Sequence, residues 1–143
     1  MQRKTFLKTC GFACVSGTVF ASILEGCAGS KMFTAAINNT DMVVPVTAFQ
    51  NGQAAFKKYV VAQNSQLKYP VCIYRFSETE YSALSMRCTH QGAELQVFGD
   101  RLECPAHGSQ FSNKGQVKNG PADTNLRTFP VKVHNDQLLI SLV

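Results

Sequence analysis

Two short segments of this 143-residue chain gather residue types that bind metals: CTHQG at residues 88–92 and CPAHGSQF at residues 104–111. Cys88 and His90 are separated by one residue, Cys104 and His107 by two, and a glycine stands close behind each pair. Two thiolates and two imidazoles can hold zinc in a tetrahedral site. They can also hold a [2Fe–2S] cluster, with two Cys on one iron and two His on the other. A cluster asks for more than four ligands, because its bridging sulfides need hydrogen-bond donors and a closely approaching backbone. Gly92 and Gly108 allow that approach, and the Ser109 hydroxyl can donate to a sulfide.

The thirteen residues between His90 and Cys104 must bring the two pairs together. They read as ELQVF, a Gly-Asp turn at Gly99–Asp100, and RLEC. That is a hairpin, and it would set both Cys/His loops at one end, facing each other. The remaining signals are also β. MVVPV (42–46), KYVVA (58–62), VCIYRF (71–76), TFPVKV (128–133) and QLLISLV (137–143) are short β-branched or aromatic runs, and YSALSM (81–86) alternates loosely. HNDQ (134–137) reads as a hairpin turn. Asn51–Lys57 could form one helical turn. The expected fold class is all-β, with several short strands and long functional loops. His134 is expected at the surface, Cys72 as a buried small apolar side chain, and Tyr59, Tyr69, Tyr74 and Tyr81 as ordinary strand residues. Phe98 and Phe111 are expected to pack around the two loops.

The pattern C-x-H…C-x-x-H-G-S resembles the Rieske iron–sulfur family. CTHQG and CPAHGSQF are similar to its two cluster loops, and NGPA (119–122) is similar to its proline loop. The resemblance spans residues 42–143. It implies an antiparallel β-sandwich or barrel with a small cluster-binding subdomain of two loops. It also implies a [2Fe–2S] cofactor, with Cys88 and Cys104 on the buried iron and His90 and His107 on the outer iron. Ser109 would donate to a bridging sulfide, and Pro121 would shield the third side. The chain departs from the pattern of quinol-oxidising cytochrome bc complexes at three positions. Ala93 and Ala106 stand where those proteins carry a disulfide that clamps the loops. Phe111 stands where they carry a Tyr whose hydroxyl donates to a ligand sulfur. Packing, the hairpin and the proline loop must then hold the loops.

The ligand set bears on function through charge. Two ferric ions, two sulfides and two thiolates sum to zero, whereas four thiolates would leave the site negative, so an electron is accepted more readily. Rieske centres span about −150 to +300 mV, against about −400 mV for plant-type ferredoxins. With the Tyr hydroxyl absent, the lower or middle part of that range is expected. Deprotonation of the iron-bound imidazoles is easier in the oxidised state, so the potential should fall as pH rises through that step.

The composition is that of an ordinary soluble domain, and the net charge of +5 includes Arg3, Lys4 and Lys8 near the start. The remaining basic residues are dispersed, with no aromatic interleaving, which argues against nucleic acid. A mildly basic surface would instead favour an acidic redox partner. Residues 1–26 read as a signal peptide: a basic start, then an apolar stretch from Gly11 to Leu24, too short for a comfortable membrane span. RKTFLK resembles a twin-arginine signal with Lys4 in the second position. LEGC (24–27) resembles a lipobox, which would place lipid on Cys27 and tether the protein to the outer face of a bacterial membrane. Residues 27–41 read as a linker. The chain is therefore expected to be an exported one-electron carrier serving a redox partner such as a cytochrome, a reductase, an oxidase subunit or quinol. The alternatives are a Rieske subunit of a larger complex, of the cytochrome bc or arsenite oxidase kind, and a zinc-stabilised binding module.

Overall fold

From Val71 to Tyr74 every residue of the strand Val71–Arg75 is buried. A strand hidden on both faces must be covered by other layers on each side, and that requirement organises the molecule. The structure, a computed structural model, describes residues 32–143 apart from Gln53. The expected signal peptide and the lipid site at Cys27 lie outside the described residues.

In chain order the strands are β1 (Phe33–Thr34), β2 (Ala36–Asn38), β3 (Asp41–Pro45), β4 (Gln50–Asn51), β5 (Ala55–Phe56), β6 (Tyr59–Gln63), β7 (Val71–Arg75) and β8 (Tyr81–Ser85). There follow β9 (Gln96–Phe98), β10 (Arg101–Glu103), β11 (Gln110–Ser112), β12 (Val117–Asn119), β13 (Thr128–Phe129), β14 (Val131–His134) and β15 (Gln137–Ser141). The central sheet has the order β1-β6-β7-β8-β13, the second β14-β15-β3-β2, and the third β12-β11-β10-β9. The all-β class is as expected. Among the described residues no helix is long and apolar enough to cross a membrane.

Side-chain alternation along the central strands sends neighbours into two different cores. Cys72 and Tyr74 of β7, Val61 of β6 and Leu84 of β8 join Cys88, Cys104, Leu102 and Phe111 in one core. Val71 and Ile73, Val60 and Ala62, and Ala83 join Met42, Val44, Leu138 and Ile140 in the other. The central sheet is thus the partition between a supporting sheet and the sheet that carries the Cys/His loops. Cys72 is fully buried as expected. Burial pushes its thiol up to about 12, only partly offset by the Tyr74 hydroxyl, so it stays protonated and inert at neutral pH.

Two hairpins match the sequence reading. Asn135 and Asp136 both have positive φ, 46° and 58°, which is the twist-compatible turn between β14 and β15, and His134 beside it is exposed. Gly99, at φ 60°, turns β9 into β10. Other expectations need correction. Asn51–Lys57 is no helical turn, because β4 and β5 pair there; the short 3-10 turn lies just before it, at Val46–Phe49. Within the segment expected as a linker, β1 pairs with β6 and β2 with β3. Ala35 between them is buried in the supporting core, with Phe33 and Ile37 packed against it, so main-chain pairing and three apolar side chains hold a stretch whose composition suggests a spacer.

Candidate metal centre

Cys88 follows β8 by three residues and Cys104 immediately follows β10, so both are fixed by strand ends. The loops that start there repeat one local geometry. The N–H of Cys88 donates to the Ala93 carbonyl at 2.8 Å, and that of Cys104 to the Ser109 carbonyl at 2.8 Å. The glycine four residues after each Cys donates back to the Cys carbonyl, Gly92 at 2.8 Å and Gly108 at 2.9 Å. Both glycines have positive φ, 77° and 79°, a conformation that strains any other residue. The imidazole sits two residues after Cys88 but three after Cys104, while the glycine keeps its place. That constancy is why the two differently spaced motifs form matching loops.

The Cys88 and Cys104 thiols are buried, free and in one core. Burial pushes the Cys104 thiol up, but the His107 backbone N–H, the Cys88 side chain and the Ala106 backbone N–H outweigh it and hold the thiol below its ordinary range. Donors that favour an anionic sulfur are thus already aimed at this position. His90 and His107 are exposed. Their ring centroids lie 4.8 Å apart, with the planes at 86°. The two thiols thus share one buried core, and the two imidazole rings meet at the surface.

The Ser109 side chain is fully buried. Its Oγ accepts the Ala122 N–H at 3.0 Å, which leaves the hydroxyl proton for another acceptor. The same bond ties the second loop to the Asn119–Ala122 segment. Thr89 ties the first loop to the same region, its hydroxyl donating to the Thr124 carbonyl at 2.6 Å. Ala122 is buried in the core shared with both Cys, whereas Pro121 itself is exposed. Phe111 is buried there as expected, but Phe98 is 48% exposed. Its place at the end of β9, beside the turn, puts it at the far end of the hairpin from the loops.

Tyr69 was expected on a strand and is not. It lies in the connection between β6 and β7, and its hydroxyl donates to the Gly92 carbonyl at 2.7 Å. It braces the first loop from outside. No local pattern marks it, since Tyr69 and Gly92 are brought together only by the packing of β7 against β8. Tyr69→Phe removes one hydrogen bond, worth about 1 kcal/mol. The half-life of metal release at a fixed temperature is expected to shorten about fivefold, with Tm lower by about 4–8 °C. An unchanged half-life, followed by loss of visible absorbance, would remove Tyr69 from the loop bracing.

Two soft thiolates, two imidazoles and N–H donors around sulfur fit a [2Fe–2S] cluster with mixed ligation. Four donors alone would also suit zinc. A zinc site, however, makes no use of the buried Ser109 hydroxyl on the second loop, whose oxygen already accepts the Ala122 N–H and whose proton is uncommitted. The sequence profile of the family described as "Rieske [2Fe-2S] domain" matches residues 39–130. The cytochrome b6-f complex iron-sulfur subunit of Nostoc punctiforme is 25% identical over an alignment spanning 99% of this chain and 84% of that protein. Among solved structures, the cyanobacterial plasma membrane Rieske protein of Synechocystis PCC 6803 is 26% identical with a TM-score of 0.52, over 59% of this chain and 87% of that one. A chain from the complex of reduced oxygenase and oxidized ferredoxin in carbazole 1,9a-dioxygenase shares the fold, with a TM-score of 0.55 over 73% of this chain and 95% of its own length.

Proposed function

This chain belongs to the Rieske [2Fe–2S] domain family, and on that premise we propose that it is an exported one-electron carrier tethered at a membrane. Its cofactor is a [2Fe–2S] cluster. In this reading Cys88, His90, Cys104 and His107 are the four ligands and Ser109 donates to a bridging sulfide. The observation that carries the reading is the pair of matching loops, with buried thiols inward and exposed imidazoles outward. When bound, the cluster supplies a one-electron couple whose potential depends on its ligands, on hydrogen bonds to its sulfurs and on burial.

The residues divide the remaining work. Cys88 and Cys104 offer sulfur ligands from a dry core, and at Cys104 the N–H groups of Ala106 and His107 stabilise negative charge. His90 and His107 reach the surface and mark the shortest route to a partner. Leu102, Phe111, Ala122 and Leu126 exclude water from the sulfur side. Export and the lipid on Cys27 are part of the proposal, supported by the basic-apolar start and LEGC. The redox partner would be a cytochrome, a reductase or an oxidase subunit. Similarity to a cytochrome b6-f complex subunit favours a second reading, a Rieske subunit of a larger quinol-oxidising complex; copurification of large partner subunits would decide for it.

The test is anaerobic reduction of the purified protein with EPR, metal and sulfide analysis and a redox titration. The expected result is two iron and two sulfide per chain, a rhombic signal on reduction, and a midpoint within about −150 to +300 mV. A colourless, EPR-silent protein holding zinc would overturn it. Ser109→Ala is expected to lower the midpoint by on the order of 50 mV. The lost donor favours the reduced, more negative state by about 1 kcal/mol, and about 59 mV corresponds to 1.4 kcal/mol for one electron. An unchanged midpoint in a protein with full iron content would remove the assigned role of Ser109.

A further inference from the structure

Beside the first loop lies a cleft of about 290 Å³ whose lining includes Lys68, Tyr69, Arg87, Thr89, Arg127 and Phe129. No Asp or Glu lines it. Among the described residues the ion pairs are Lys58 with Asp100, Arg101 with Glu103 and Lys114 with Glu80, all elsewhere. Three cations from three separate segments therefore converge without a counter-charge. Glu94 faces Arg87 across an isolated backbone bridge, yet makes no ion pair with it and lines an adjoining cavity.

The cations are arranged rather than scattered. The Arg127 guanidinium lies 4.7 Å from the Phe129 ring centroid, and its Nη2 donates to the Leu142 carbonyl at 2.7 Å. Lys68 Nζ sits 5.6 Å from the Tyr69 ring centroid. Arg87 folds over the first loop: a Cβ added to Gly92 would come 3.3 Å from its Nε. The missing side chain at Gly92 thus makes room for a guanidinium against the loop that carries His90. Thr89, between Cys88 and His90, forms part of the cleft wall. Through Thr89 the cleft borders the loop that carries His90, one residue further on.

Resting on the carrier function proposed above, we infer that this cleft is the docking site for the acidic face of a protein redox partner, whose carboxylates enter between Arg87 and Arg127. Planar guanidinium forks suit carboxylates. A charge-lined cleft steers an oppositely charged protein and fixes its orientation. A membrane surface calls for a polybasic stretch laid flat against the lipid, whereas these charges line a concavity. The cluster, when bound, would supply the one-electron couple that an acidic donor reduces; Arg87 and Arg127 would only hold and orient that donor, with no bond made or broken.

The test uses stopped-flow electron transfer with the cluster-loaded protein and two probes. A plant-type ferredoxin serves as acidic reductant and mitochondrial cytochrome c as basic oxidant. At low ionic strength the Arg87→Gln/Arg127→Gln variant should react about tenfold more slowly with the ferredoxin, and added salt should erase most of the difference from wild type. Its reaction with cytochrome c should hold or quicken. The charge-keeping Arg87→Lys/Arg127→Lys variant should recover most of the ferredoxin rate. Equal slowing with both probes, or none with either, overturns the docking site while leaving the carrier function standing. A ferredoxin rate that is unchanged while binding to phosphatidylserine vesicles is lost assigns the cations to a membrane and overturns it too. A wild-type protein that exchanges electrons with neither probe overturns the carrier function, and the docking site with it.

Discussion

Cys104→Ser is expected to give a folded, colourless protein with iron and sulfide below about a tenth of the wild-type content. Serine nearly conserves the volume of a side chain that is only 2% exposed, so the sheets can still pack. What it removes is the proposed soft ligand: iron–sulfur clusters are held by thiolates, and a hydroxyl is a far weaker acid and a harder donor. The backbone N–H groups of His107 and Ala106, which help hold the Cys104 thiol below its ordinary range, would then face a neutral oxygen. Cys72→Ala supplies the contrast. Cys72 shares the same core but belongs to β7 rather than to either loop, and burial pushes its thiol up to about 12. Its loss should leave cluster content unchanged. Metal analysis together with visible absorbance separates the cases. Wild-type content in Cys104→Ser would overturn the ligand assignment, as would an empty Cys72→Ala.

Leu102→Ala is expected to cost about 2–5 kcal/mol, the range for removing a fully buried Leu, and to lower Tm by about 10–25 °C. Leu102 is completely buried at the centre of the loop-bearing sheet, paired with Val97 on one side and Phe111 on the other. It lies two residues before Cys104, so the cavity would open beneath the second loop. Leu138→Ala, in the supporting core, should cost a similar amount. The two should differ in cluster lifetime. Well below either Tm, Leu102→Ala should lose its visible absorbance much faster than Leu138→Ala, because only the first core contains the thiols. Matching lifetimes would mean that the two cores do not act as separate units.

Residue types and short-range spacing alone pointed to the candidate ligands and to the hairpin that joins their loops. Cys88, His90, Cys104, His107 and the glycines behind them carry side-chain types with few other uses in such close order. The Gly99–Asp100 turn between two alternating runs is a local signal, so the meeting of the loops followed from short-range geometry alone. The all-β class was legible for the same reason, because β-branched alternation and turn residues act within a few positions.

What closes around those loops comes from contacts between segments far apart in the chain. Tyr69 reaches Gly92 and Thr89 reaches Thr124 across separate segments, and Ser109 spends its acceptor on Ala122. Hydrogen bonds of that kind leave no period or motif, since a Tyr or Thr forms them wherever the chain happens to bring a carbonyl near. The same holds for the residues at 33–38, whose mixed composition reads as a spacer until β6 and β3 offer edges to pair with. It holds for Lys68, Arg87 and Arg127, which are dispersed along the chain and become one cleft only because β7, β8 and β13 lie side by side. The proposed ligands are read from residue type and spacing; the bracing of the loops and the gathering of surface charge depend on which distant segments the central sheet brings together.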